Sequence, residues 1–96
     1  MACYFVGLID IHDADEYDTY LEGYDAVFSQ FRGEVIAVEE SPRVLEGEWP
    51  AGRTVIIRFP NEGELRRWYD SEAYQALACH RQNASYSRIA IISGRK

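Results

Sequence analysis

The side chains with the clearest chemical potential are a set of aromatic and charged residues. The set comprises Glu46, Trp49, Arg53, Trp68, Tyr69, Tyr74 and Arg81. Aromatic walls with a few polar groups form the usual pocket for a small organic ligand, and the planar arginine fork matches a carboxylate. We therefore predict a substrate pocket walled by these aromatic rings, in which Arg53 or Arg81 holds an anionic group.

A structural role explains the same residues equally well. Trp68 and Tyr69 can be core side chains, and Glu46 can pair with Arg53 or Arg81 to brace the connection in which it lies. Polar residues on loops are more often functional than those in a core, which keeps the pocket hypothesis open beside the structural one.

Two carboxylates are candidates for proton transfer. Asp10 ends an otherwise apolar run, Tyr4 to Ile9, and a carboxylate in such a place can act as a general base. It can equally cap the loop that follows. Glu46 is the second candidate because it belongs to the predicted pocket. We predict Asp10 and Glu46 as the catalytic residues.

The histidines and other nucleophiles give weaker signals. His12 lies between Asp10 and Asp13, but a strand end followed by a helix cap explains this cluster better than a metal site. Neither His12 nor His80 has an evident serine or cysteine partner, and the chain has no glycine-rich phosphate loop. We predict no metal and no cofactor.

Four short runs of apolar, β-branched and aromatic residues predict strands that position these side chains. The runs span residues 3–10, 34–39, 53–59 and 88–93. A helix is predicted between the first two strands, and two helical segments that begin after Asn61 and Ser71 precede the last strand. The order β-α-β-β-α-β predicts an α+β fold, a ferredoxin-like sandwich, as a single domain over residues 1–96.

The first helix is predicted over residues 13–31. Its apolar residues recur at spacings of three and four, which makes one continuous stripe. Asp13 and Glu16 have the spacing of a capping box at its start. Gly33 follows the last apolar residue and is predicted as its C-cap.

The strands are apolar on both faces, which predicts an assembly. In the first strand Tyr4, Val6 and Leu8 are apolar, and so are Phe5 and Ile9 on the opposite face. A sheet with helices on one face and water on the other should alternate instead. A second sheet packed face to face would cover the remaining apolar surface, so we predict a homodimer formed through the sheet face.

Composition excludes several classes of partner. The net charge of −6 argues against binding to nucleic acid or to an anionic membrane, and no apolar run reaches the length of a membrane span. Cys3 and Cys79 lie in apolar surroundings and are predicted as buried free thiols. The first residues lack the basic region of a secretory signal. We therefore predict a cytoplasmic protein.

Several strings of residues resemble one family. They are VLEGEW at 44–49, RTV at 53–55, FP at 59–60, WYDSEAYQ at 68–75 and Arg81. In combination they resemble the DUF1330 family, whose members belong to the dimeric α/β-barrel superfamily. The resemblance covers nearly the whole chain and implies a ferredoxin-like protomer and a barrel-like dimer. The wider superfamily includes cofactor-free monooxygenases, haem-degrading enzymes, muconolactone isomerases and ligand-sensing domains, so fold alone selects no reaction.

Two functional hypotheses follow. The first is a homodimer that binds a small molecule, as a cofactor-free oxygenase or isomerase acting on an aromatic or carboxylate-bearing metabolite. The second is a non-catalytic ligand sensor or a structural dimer, in which the same side chains pack and brace loops. Haem binding through His80 is a minor hypothesis that the superfamily suggests. The first hypothesis needs an accessible pocket, whereas the second expects the same side chains to satisfy one another.

Overall fold

The computed structural model describes all residues, 1–96, as a four-stranded sheet with three helices. The elements are β1 (Cys3–Ile11), α1 (Ala14–Phe28), β2 (Glu34–Glu39), β3 (Arg53–Phe59), α2 (Glu62–Tyr69), α3 (Glu72–Ala84) and β4 (Ser85–Ser93). The predicted β-α-β-β-α-β order is confirmed, with the second helical region divided into α2 and α3. The fold is therefore the predicted ferredoxin-like α+β sandwich.

The sheet is antiparallel throughout and has the strand order β2-β3-β1-β4. β1 lies in its interior, with Phe5 opposite Ile57 of β3 and Ile91 of β4. Residues paired across strands point to the same face. The even-numbered residues of β1, such as Tyr4 and Leu8, therefore lie on the face opposite Phe5, which packs against α2.

Each helix begins at a side-chain cap that satisfies a backbone N–H. Glu16 N donates to Asp13 Oδ1 at 3.1 Å, and Glu64 N donates to Asn61 Oδ1 at 2.9 Å. Tyr74 N donates to the Oγ of Ser71, which is the N-cap of α3. The three predicted helix starts are thus confirmed, and the Ser71 cap begins the helix that carries Tyr74 and Arg81.

Two predicted boundaries are wrong. α1 ends at Phe28 rather than residue 31, with Ser29 as its C-cap. Gly33 has another role, because a Cβ atom there would lie 2.5 Å from Cζ of Phe28 and 2.7 Å from the Phe59 ring. The last strand begins at Ser85 rather than residue 88, because polar Ser85 and its neighbours still pair with the end of β1.

The core lies between the helices and one face of the sheet. Its fully buried side chains are Trp68, Tyr74, Phe59, Ile57 and Leu65. The ring of Trp68 packs edge-on against Phe5, with centroids 5.2 Å apart, and stacks on Phe59 at 5.5 Å. Of the two free thiols, Cys3 is buried as predicted, but Cys79 is exposed because it lies on the outer side of α3.

The other face of the sheet has no helix on it. Its central residues remain only half-buried, and large side chains at its edge are open, including Tyr86 at 72% exposure and Ile92 at 50%. The open face, as we call it, comprises Tyr4, Val6, Leu8, Asp10, Thr54, Ile56, Arg58, Tyr86, Arg88, Ala90 and Ile92. No helix of the chain has the length and apolarity that a membrane crossing requires.

Candidate functional site

A cavity of about 260 Å³ lies between α1 and the β2-β3-β1 part of the sheet. Its apolar lining includes Phe5, Ile9, Leu21, Val35, Val38, Val55 and Ile57. Its polar lining consists of Tyr17, Tyr20, Tyr24, Asp25, Arg53 and Arg81. This volume lies just below the roughly 300 Å³ at which ligand pockets typically begin, so only a small organic molecule would fit.

α1 supplies three phenols to the cavity. Tyr17, Tyr20 and Tyr24 are spaced by three and four residues, which places them on one side of the helix. Their rings follow one another, with centroids 5.4 Å apart for the first pair and 5.8 Å for the second. The sequence placed these residues in an apolar stripe and missed their place in a site. The available signal was the use of three phenols where Leu or Val would have served.

Arg81 places a positive charge against the cavity from α3. It is only 3% exposed, and its Nε and Nη2 atoms are buried without a hydrogen-bond partner in the protein. Burial acts to lower the pKa of Arg81, but the neighbouring phenol of Tyr74 and then that of Tyr20 act the other way, and the net pKa is raised. The guanidinium therefore stays charged and offers unused donors.

Arg53, the first residue of β3, supplies a second guanidinium. It forms an ion pair with Glu40, and its Cζ lies 5.5 Å from the centroid of the Tyr17 ring. Its Nε atom is buried and unpartnered. The proposed brace from Glu46 to Arg53 or Arg81 is wrong, because Glu40 takes that place at the end of β2.

The buried phenols are neutral hydrogen-bond donors. The hydroxyls of Tyr20 and Tyr74 are 2.7 Å apart and form a buried hydrogen bond. Burial raises the pKa of Tyr20, Tyr24 and Tyr74, and for Tyr74 the nearby Arg81 opposes this only in part. The hydroxyl of Tyr24 is buried with no partner. Tyr24 lines the cavity, and its hydroxyl is a donor that the protein leaves unused.

Most of the unsatisfied buried polar atoms belong to residues that line this cavity. Five buried side-chain nitrogen or oxygen atoms have no hydrogen-bond partner, and four of them belong to Tyr24, Arg53 and Arg81. The fifth is Nε1 of Trp68 in the core. Buried polar groups without partners are rare in folded proteins, because each carries an uncompensated desolvation penalty. All four atoms can donate, which fits a ligand rich in acceptor oxygens.

The structure brings together only part of the predicted site. Arg53 and Arg81 line the cavity, and Tyr74 stands behind Tyr20 and holds its hydroxyl. Trp68 is completely buried as core, and Tyr69 is partly buried with its ring 6.0 Å from that of Trp68.

Asp10, Glu46 and Trp49 do not line the cavity. Asp10 is exposed and pairs with Tyr86, which places it on the open face of the sheet. The indole of Trp49 donates from Nε1 to Thr54 Oγ1 at 3.0 Å, and Thr54 also belongs to the open face. Glu46 is exposed in the 40–52 connection, where it lines a separate shallow pocket together with Trp49. Strand alternation places Asp10 on the face opposite the cavity, and Asp10 meets Arg53 only at a smaller pocket at the end of β1.

The histidines have other partners. Nδ1 of His80 lies 3.0 Å from Oε1 of Glu16, which links α3 to α1. His12 packs its ring against Tyr86, with centroids 4.9 Å apart. No group of three or more His, Cys, Asp or Glu side chains is placed to hold a metal ion.

The family model for the domain of unknown function DUF1330 matches residues 2–95. The chain belongs to this family. The resemblance of residues 44–49 and 68–75 is thereby confirmed. No match was found among curated protein sequences.

Solved structures with the same fold include proteins with and without a known activity. A protein of unknown function from Rhodopseudomonas palustris superposes with a TM-score of 0.79 at 18% identity, covering 99% of this chain and 83% of that one. SnoaB, a cofactor-independent oxygenase from Streptomyces nogalater, gives 0.67 at 16% identity, covering 99% and 94%. An antibiotic biosynthesis monooxygenase gives 0.57 at 14%, covering all of both chains. At identities this low, the superpositions show a shared fold alone.

The buried phenol pair predicts a measurable coupling energy. Tyr74→Phe leaves the Tyr20 hydroxyl buried without its partner, so we expect a loss of about 1–3 kcal/mol in the free energy of unfolding. Tyr20→Phe should have a similar effect. The double variant should lose clearly less than the sum of the two, since it leaves no orphaned hydroxyl. Denaturant unfolding of all four proteins measures this, and strictly additive losses would show that the hydrogen bond is not stabilising.

Proposed function

We propose that this protein binds a small organic anion with an aromatic body in the cavity beneath α1. The single observation that carries this proposal is the buried guanidinium of Arg81, whose Nε and Nη2 donors face no partner in the protein. A buried charge is stable only when it is paired, and a bound anion supplies the missing partner.

The remainder of the cavity favours an aromatic body. The rings of Tyr17 and Tyr20 and the side chains of Ile9, Val55 and Ile57 form its walls. Aromatic rings attract one another at centroid separations of about 4.5–7 Å, in addition to the apolar area they bury. A ligand with a flat ring and one anionic end therefore matches the apolar and charged parts of the lining.

A cofactor-free oxygenase or isomerase is the first reaction class to assay. Two structural neighbours are named as oxygenases, one of them cofactor-independent. Within one protomer, Asp25 is the only carboxylate that lines the cavity, and it is exposed. Asp10 and Glu46 remain predicted proton carriers. A ligand-sensing function uses the same cavity without any proton transfer, and turnover of the bound ligand is what distinguishes the two.

We also propose that the chain forms a homodimer through the open face. The molecule measures 32 × 30 × 16 Å, so its broad side can bury the roughly 800 Å² per partner that a standard interface requires. Val6 of β1, Ile56 of β3 and Ala90 of the edge strand β4 lie next to one another across that face. Burying these side chains against the same face of a second copy removes apolar surface from water.

The binding proposal predicts that Arg81 dominates affinity for aromatic anions. Benzoate should bind to the wild-type protein, and Arg81→Met should weaken binding at least tenfold, because the paired charge is lost. Arg43→Met is the matched control, since the Arg43 side chain is 87% exposed on the connection and should leave affinity unchanged. Isothermal titration calorimetry measures both. Equal affinities of wild type and Arg81→Met would refute the proposed site.

The dimer proposal predicts that a single substitution halves the mass of the particle in solution. Light scattering of the wild type at micromolar concentration should give twice the chain mass of 11.1 kDa. Ala90→Arg places a charge on the open face next to Val6 and should give a folded monomer. Ala76→Arg, on the exposed side of α3, should remain dimeric. A wild-type protein with the mass of one chain would contradict the proposal.

A further inference from the structure

The unpartnered atoms of Arg81 lie on one edge of its guanidinium. Nε and Nη2 are the two nitrogens whose N–H bonds run side by side, away from the aliphatic stem. This edge presents two parallel donors, which match two oxygens of one planar group. A carboxylate fits this edge better than a single hydroxyl or a halide does, because it accepts both hydrogen bonds at once.

A second donor lies within reach of the same ligand. The Tyr20 ring centroid is 6.0 Å from Cζ of Arg81 and 5.8 Å from the centroid of the Tyr24 ring. All three side chains line the cavity, so a ligand beside the edge of Tyr20 lies near both Arg81 and Tyr24. The hydroxyl of Tyr24 has no partner, whereas Arg53 already forms an ion pair with Glu40. Tyr24 is thus the better candidate for a second polar contact.

We propose that the ligand is an aromatic carboxylate with a second oxygen on its ring or side chain. Its carboxylate lies side-on against Nε and Nη2 of Arg81, and a hydroxyl or keto oxygen accepts a hydrogen bond from the Tyr24 hydroxyl. The Tyr20 ring supports the aromatic body between these contacts. This inference rests on the proposed binding function and names the chemical class of ligand that the cavity selects.

The neighbouring groups support this assignment of roles. Burial raises the pKa of Tyr24, so its phenol remains protonated and donates at neutral pH. The hydroxyl of Tyr20 is occupied by Tyr74 at 2.7 Å. Asp25, the carboxylate of the lining, is exposed, so no buried anion opposes the ligand. A ligand in the cavity therefore meets a positive charge at Arg81 and a neutral hydrogen-bond donor at Tyr24.

The test compares benzoate with meta- and para-hydroxybenzoate by isothermal titration calorimetry. We expect at least one hydroxybenzoate to bind about fivefold tighter than benzoate, since a hydrogen bond contributes about 1 kcal/mol. Tyr24→Phe should remove this advantage and leave benzoate affinity unchanged. Tyr86→Phe is the matched control on the open face and should retain the advantage. Tyr24→Phe deletes a hydroxyl without a partner, so the variant should fold as well as the wild type.

A second variant tests the geometry of the carboxylate contact. Arg81→Lys keeps the charge but replaces two parallel donors by a point charge. It should weaken the binding of all three carboxylates to a similar extent. If benzoate binds and neither hydroxybenzoate binds more tightly, the inference fails while the binding function stands. The same holds if the advantage survives in Tyr24→Phe. If none of the three carboxylates binds to the wild type, the binding function and the inference both fail.

Discussion

A guanidinium cannot give up its proton, so burying one obliges the protein to surround it with partners. Arg81 is buried, yet one edge of it has no partner in the protein, and phenols of α1 and α3 lie beside it. The N-cap at Ser71 begins the helix that carries it, and Tyr74, one turn into that helix, holds the hydroxyl of Tyr20. Unsatisfied charge in a well-packed interior is typical of a site that a ligand completes.

The aromatic core gives this site its rigidity. Trp68 and Tyr74 are fully buried with ring centroids 4.3 Å apart, and Phe5 and Phe59 pack around the indole. Close-packed interiors leave side chains little freedom, so the cavity walls keep their positions without a ligand. A preorganised site of this kind loses little conformational entropy when it binds. Trp68 and Tyr74, which the sequence singled out as pocket walls, thus support the site from behind, and the phenols that line it come from α1.

Most of the fold could be predicted from the sequence, because strand and helix periodicity and the caps at Asp13, Asn61 and Ser71 are local signals. Arg53 and Arg81 could be selected as anion-binding residues by their chemistry alone. The cavity itself could not, since it depends on α1 packing over β3 in three dimensions. The position of Asp10 outside the cavity follows from strand alternation, but only once the packed face is known. Gly33 was misjudged because its role is a close approach of Phe28 and Phe59.

The stability of the ligand-free protein tests the central claim most directly. If Arg81 is kept for a ligand, Arg81→Met should unfold in denaturant with a free energy equal to that of the wild type or about 1 kcal/mol higher, because an apolar side chain of similar length removes an incompletely paired buried charge. A loss of more than about 2 kcal/mol would contradict the account. That result would mean that Arg81 stabilises the fold and is not reserved for binding an anion.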